Sequence, residues 1–272
     1  MAIFEYKNQN INYLVEGSGK PLILLNGIMM TVASWEPVAE PLRKDNTLIR
    51  LDLLDQGASE KQSTNYEISE QADLVAGFIK FLGYEKVNIV GISYGGYVGL
   101  NLASRYPDLV DRMVIFNSAA DVDERDKEMF KQFIHVANLD DAYAFYLTTI
   151  PLFYSPTFYT THNKWMKERE QLLINFFENA NYRQTVKRLA TSCLGHDVRK
   201  NLSKITAKTL IVNGEEDYLI PIDKQRFLLD NIPNSNLVSM GKTGHVSPYE
   251  NPIVFTSLIY GFINNPTLEF KI

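Results

Sequence analysis

Ser93 stands in Gly91-Ile92-Ser93-Tyr94-Gly95, directly after an apolar run of buried-strand length at residues 87–90 and directly before a helical pattern that opens at Tyr94. A serine at such a turn projects its hydroxyl above the strand ends. The flanking glycines let the chain fold back tightly, and the N–H groups at the helix start favour negative charge nearby. A serine hydroxyl is a feeble nucleophile until a base takes its proton. Of four histidines, His135, His162 and His196 read as surface or packing residues, while His245, in Gly244-His245-Val246-Ser247-Pro248, occupies a loop after the last predicted strand. The imidazole in turn needs a carboxylate to hold its tautomer. Asp217 is the choice by its distance from a strand end and the proline four residues on, Pro221. Glu215 and Glu216 beside it read as solvated charges, and Asp121 or Asp123, after the strand ending at Phe116, stands as an alternative acid. Cys193, the one cysteine, lies in no activating context and reads as a packing residue.

Elements of the right kind flank these residues. Residues 3–6 and 11–15 alternate around Lys7-Asn8-Gln9-Asn10 as a hairpin. Continuous apolar runs at 22–25, 47–51, 87–90, 113–116, 209–212 and 236–240 predict buried parallel strands. Helical patterns at 69–82 and 94–106 lie between them, which implies a sheet covered on both faces. The alternation stops after Ser118 and resumes near Ile205. The interval predicts helices over 123–138 and 165–191, with Pro151 and Pro156 breaking the part between. Its aromatic residues can form the insert's own core, and Tyr143, Tyr146, Phe153 and Tyr154 are candidates to line an apolar substrate pocket.

Composition narrows the function. The 272 residues, 45% hydrophobic and 22% charged, carry a net charge of −5 and no basic cluster, which argues against nucleic acid. The N-terminus lacks a charged start followed by an apolar run, and no apolar stretch approaches the ~20 residues of a membrane span. With a lone cysteine, the expectation is a cytoplasmic protein.

Taken together these residues resemble the α/β-hydrolase superfamily, in particular its small capped esterases, lactonases and acyl hydrolases. The likeness rests on the chain order Ser93, Asp217, His245, on Leu24-Leu25-Asn26-Gly27-Ile28 and Asp52-Leu53-Leu54-Asp55-Gln56-Gly57-Ala58-Ser59, and on Tyr106-Pro107 closing the helix after the serine. The resemblance implies an eight-stranded, mostly parallel sheet flanked by helices. The core would comprise residues 1–118 and 202–272, and a helical cap at 119–201 would follow the sixth strand. It also implies an oxyanion hole from the backbone N–H groups of Ile28 and Tyr94. Two departures stand out: Asn26 where the family usually has histidine, and Asp55 where glycine is common, read as a turn former with a place facing the site as the alternative. The implied activity is cleavage of a carboxylic ester, thioester or lactone through an acyl-enzyme. Acyl transfer, carbon–carbon hydrolysis or perhydrolysis by the same residues, and a ligand-binding protein of little turnover, are the alternatives. Relatives that cut carbon–halogen bonds or epoxides use aspartate where Ser93 stands. The expected partner is a small acyl substrate, with neither metal nor organic cofactor, in a monomer or homodimer.

Overall fold

The eight apolar and alternating segments pair into one sheet. A computed structural model describes residues 2–265. The strands are β1 (Ala2–Tyr6), β2 (Gln9–Glu16), β3 (Lys20–Leu25), β4 (Asn46–Leu51), β5 (Val87–Ile92), β6 (Val110–Phe116), β7 (Lys208–Gly214) and β8 (Ser235–Met240). Their order is β1-β2-β4-β3-β5-β6-β7-β8. The β1–β2 and β2–β4 pairs are antiparallel and every later pair is parallel. Lys7 and Asn8 supply the positive φ angles of the first hairpin turn.

Successive residues of a strand face opposite sides, so the sheet divides its apolar runs between two cores. Leu22, Leu24 and Leu48 pack with Trp35 and Val38 under α1 (Glu36–Leu42), and with Phe255 and Ile259 of α11 (Pro252–Asn264). Ile23, Leu25, Ile49 and Ile89 face the other way, against α2 (Ile68–Phe81) and α3 (Tyr94–Arg105). α9 (Ile222–Asn231) joins that second layer through Leu228, and α10 (Ser247–Glu250) is a single turn after β8.

Five helices separate β6 from β7: α4 (Glu124–Ala137), α5 (Ala142–Phe153), α6 (Pro156–Thr161), α7 (Asn163–Phe177) and α8 (Ala180–Cys193). α4 packs on α8 and α5, and α5 on α7. Asp123 and Asn138, the predicted ends of the first of these, are its two caps. Two expectations need correction. Pro151 does not break the chain but lies within the last turn of α5, where it deprives the Leu147 carbonyl of its helical donor and the helix ends two residues later, at Phe153. Residues 165–191 are two helices, because Asn179 turns its side chain onto the N–H groups of Asn181 and Tyr182 and starts α8 afresh. α1 went unpredicted, its two prolines at 37 and 41 concealing a short helix.

Candidate active site

At the carboxyl ends of the parallel strands the sheet brings together residues far apart in sequence. The strand order reverses between β3 and β5, so their exit loops run to opposite faces and leave a crevice, the usual ligand position in open α/β sheets. Ser93 follows β5 and Ile28 follows β3, and both line this crevice.

Ser93 is held at φ 52°, ψ −118°, in the region that favours glycine. Its neighbours explain why the turn tolerates little else. A Cβ on Gly95 would lie 2.0 Å from the Leu25 carbonyl oxygen, and one on Gly91 2.5 Å from the Gly95 carbonyl oxygen. The Ser93 N–H donates to the Phe116 carbonyl, and its own carbonyl accepts from Gly96, Tyr97 and the Ser118 hydroxyl, so the strain is fixed from several sides. α3 begins at Tyr94, whose N–H therefore has no partner within the helix. The Tyr94 side chain is anchored elsewhere, its hydroxyl 3.3 Å from Gln71 and 3.1 Å from Ser192 of α8.

His245 Nδ1 lies 2.8 Å from Asp217 Oδ2, both side chains buried. The other oxygen of Asp217 accepts the N–H groups of Leu219 and Ile220, which satisfies the carboxylate and fixes its rotamer. The alternative acids are engaged away from the imidazole: Asp121 and Asp123 pair with Lys224. Glu216 is not merely solvated. It accepts from the Thr157 N–H and hydroxyl at the start of α6, contacts that hold its pKa below the usual carboxylate value.

Two clefts meet at Ser93, His245, Ile28 and Phe153. The larger runs under α5 and α7 past Tyr154, Leu173 and Phe177. The smaller is lined by Met129, Phe130, Phe133, Leu219 and Ile220. Phe153 and Tyr154 thus face the site, whereas the other two aromatic candidates do not. Tyr143 is half exposed on the outer face of α5, and Tyr146, though buried, lines neither cleft. Tyr143 lies on a different face of α5, ~80° round from Phe153, whereas Tyr146 is seven residues before Phe153, on the same face but two turns, ~10 Å, farther along the axis. Cys193 is buried at the wall of the smaller cleft, and burial pushes its thiol pKa up, away from thiolate chemistry.

Sequence reading missed several residues that hold these groups. Asn117 adopts a left-handed φ of 49° just after β6. From there its side-chain amide donates to the Gly244 and His245 carbonyls, while its oxygen accepts the Gly214 N–H. It thereby ties the Asp217 loop to the His245 loop. Glu250 accepts from the N–H groups of Gly244 and Ser155, joining the His245 loop to the start of α6, and burial raises its pKa. The His245 N–H donates to the Phe153 carbonyl, another link to the helical insert. Nothing in the local pattern distinguishes these polar residues from surface ones.

Asn26 and Asp55, the two departures, are structural. Asn26 is fully buried, donates to the Leu51 carbonyl and Gln56, and accepts from the Trp35 indole at 2.6 Å. It supports the loop that carries Ile28. Asp55 takes a left-handed turn, φ 67°, as expected of a turn former. Its buried carboxylate also meets Arg188 of α8 at 2.6–3.1 Å, a contact that residue spacing could not reveal.

Among the described residues no group of three or more His, Cys, Asp or Glu is placed to hold a metal, and no helix is long and apolar enough to cross a membrane. A solved structure, MGS-M2, an alpha/beta hydrolase enzyme from a Medee basin deep-sea metagenome library, matches with TM-score 0.97 and 38% identity over 100% of both chains. Est816, described as an N-acyl homoserine lactone degrading enzyme, matches with TM-score 0.82 and 25% identity over 96% of this chain and 100% of its own. The "Putative carbamate hydrolase RutD" of Azorhizobium caulinodans is 26% identical over 93% of this chain and 94% of its own. The family model for the alpha/beta hydrolase fold matches residues 20–252, and the chain belongs to that family.

Proposed function

We propose that the protein is a serine hydrolase that cleaves a carboxylic ester, thioester or lactone through an acyl-enzyme. The observation that carries this reading is the 2.8 Å contact between His245 Nδ1 and the Asp217 carboxylate, in the crevice that also holds the strained Ser93. With Nδ1 bearing the proton donated to Asp217, Nε2 is the basic nitrogen and is free to take the Ser93 proton. Attack on the carbonyl carbon moves charge onto its oxygen, where the N–H groups of Ile28 and Tyr94 would receive it. The imidazolium then gives its proton to the leaving alcohol, thiol or lactone oxygen. In the second half His245 takes a proton from water as its oxygen attacks the acyl carbon, then gives that proton to Ser93 Oγ as the acyl–oxygen bond breaks and the carboxylic acid leaves.

The mainly apolar walls of both clefts support an acyl substrate of small or medium size, and residues 119–201 serve as the cap over it. Lactone and carbamate carbonyls, named for Est816 and RutD, are open to the same attack. Fluorophosphonate labelling of wild type and Ser93→Ala, with p-nitrophenyl butyrate turnover in parallel, tests the proposal. Labelling and turnover should both vanish in the variant. Folded wild type that neither labels nor turns over would instead favour a ligand-binding protein.

A further inference from the structure

The larger cleft is mainly apolar. Arg169 of α7 is the only Lys, Arg, Asp or Glu among its described lining residues. Residues 169, 173, 176 and 177 follow the i, i+4, i+7, i+8 spacing of one helix face, so α7 presents Arg169 in the same stripe as Leu173, Phe176 and Phe177. Its guanidinium carbon lies 5.1 Å from the ring centre of Trp165, one turn earlier on α7, and 4.8 Å from that of Tyr249 on α10. The cation is thus placed by one ring from the helical insert and one from the short helix that follows the His245 loop.

Stacking covers the faces of a guanidinium and leaves its edge donors available. Here Nε is buried and has no hydrogen-bond partner among the described residues. The nearby anion-forming groups supply no counter-charge. The Tyr154 phenol lies within hydrogen-bonding reach of Arg169, but burial raises its pKa despite that cation, so it stays neutral. Glu250 spends its two oxygens on the N–H groups of Ser155 and Gly244. The half-buried cation thus has one buried donor without a partner and, among these groups, no carboxylate turned toward it. The cleft opens directly onto Ser93, so a ligand bound there could supply that charge.

We propose that Arg169 binds a carboxylate at the far end of the substrate, and that the preferred substrates are carboxylate-bearing esters or lactones whose anionic arm occupies the larger cleft. This rests on the serine-hydrolase reading for the reacting group, but the anion site itself does not. The guanidinium offers a paired N–H edge to the two carboxylate oxygens, and the cleft's apolar remainder strengthens the bond by excluding water.

The test compares p-nitrophenyl hydrogen adipate with its neutral counterpart, p-nitrophenyl methyl adipate, in wild type, Arg169→Met and Arg169→Lys. A charge-assisted hydrogen-bonded pair of this kind is worth roughly 10- to 100-fold. Wild type should favour the anionic ester by at least about 10-fold in kcat/KM. Arg169→Met should bring the anionic-to-neutral ratio to near unity or below, and Arg169→Lys should restore part of it. A wild type that favours the neutral ester, or a ratio unchanged in Arg169→Met, overturns the proposal. An equal loss for both esters does so too, because it would mark Arg169 as a structural residue only. Binding of adipate, followed by Trp165 fluorescence in Ser93→Ala and again after Arg169→Met, is independent of turnover. Saturable binding that needs Arg169 upholds the anion site even if neither ester is hydrolysed, the result that would sink the serine-hydrolase reading alone. No binding in Ser93→Ala overturns the anion site even if fluorophosphonate labels the wild type.

Discussion

Replacing Asp55 by glycine restores the residue type common at this turn in the family, and two opposing effects decide its outcome. Asp55 sits at φ 67°, a left-handed conformation that costs an L-residue roughly 1 kcal/mol and glycine almost nothing. Glycine, however, has more freedom to lose on folding, by about the same amount, so the two backbone effects nearly cancel. The side chain then decides. The Asp55 carboxylate is buried and meets Arg188 through three contacts of 2.6–3.1 Å, with the Arg188 side chain only 18% exposed. Breaking a buried pair by removing one partner costs about 3–5 kcal/mol, and the partial exposure of Arg188 favours the lower end. Asp55→Gly should therefore lose about 3 kcal/mol of stability, measured by urea unfolding. Arg188→Met, which strands the buried carboxylate, should lose at least as much. The double variant should lose much less than the sum, with a coupling of about 2–3 kcal/mol. An Asp55→Gly protein as stable as wild type, or single losses that add within about 0.5 kcal/mol, would refute the argument that this pair holds α8 to the core.

Two further outcomes follow from the surroundings of the site. Asn117→Ala removes the bonds to Gly214, Gly244 and His245, and is expected to lower kcat and the fluorophosphonate labelling rate together by about 10-fold or more, since each unsatisfied buried group costs about 1–3 kcal/mol. Unchanged labelling would show that the His245 loop holds its position without it. His196, buried against Tyr97 with its ring nitrogens facing Asn101 and the Ala119 carbonyl, has its pKa pushed down by burial to about 4 from 6.5. The folded form stays neutral while the unfolded chain takes up a proton below about pH 6.5. The stabilisation is therefore complete above that pH and is lost as pH falls toward 4, by about 3 kcal/mol in all. Urea midpoints should fall less steeply with acid in His196→Gln than in wild type, and parallel pH profiles would refute this origin.

How much could be read in advance depended on how local the signal was. Each of the eight strands carries its own mark, an alternation or an apolar run, because burial on one or both faces is written into consecutive residues. The helix over 123–138 was legible as well, and its ends proved to be the caps Asp123 and Asn138, since a cap acts within one turn. The prolines of α1 and α5 misled, because their cost depends on position within a helix rather than on presence. Tyr143 misled because residue type does not tell which face of a packed helix meets a cavity, and Tyr146 because it does not tell how far along that face the cavity runs.

By itself, the sequence determined the strand and helix alternation, the Gly-x-Ser-x-Gly turn and the short choice of histidine and acid around it. All of these are constraints between near neighbours in the chain or follow from residue chemistry. Only the tertiary structure set Asp217 against His245, Asn117 between their two loops, Asp55 against Arg188, and Arg169 at the wall of the cleft. These contacts join residues tens to more than a hundred positions apart. Their partners are chosen by how the sheet and the helical insert close on each other, a choice that leaves no periodicity in the chain.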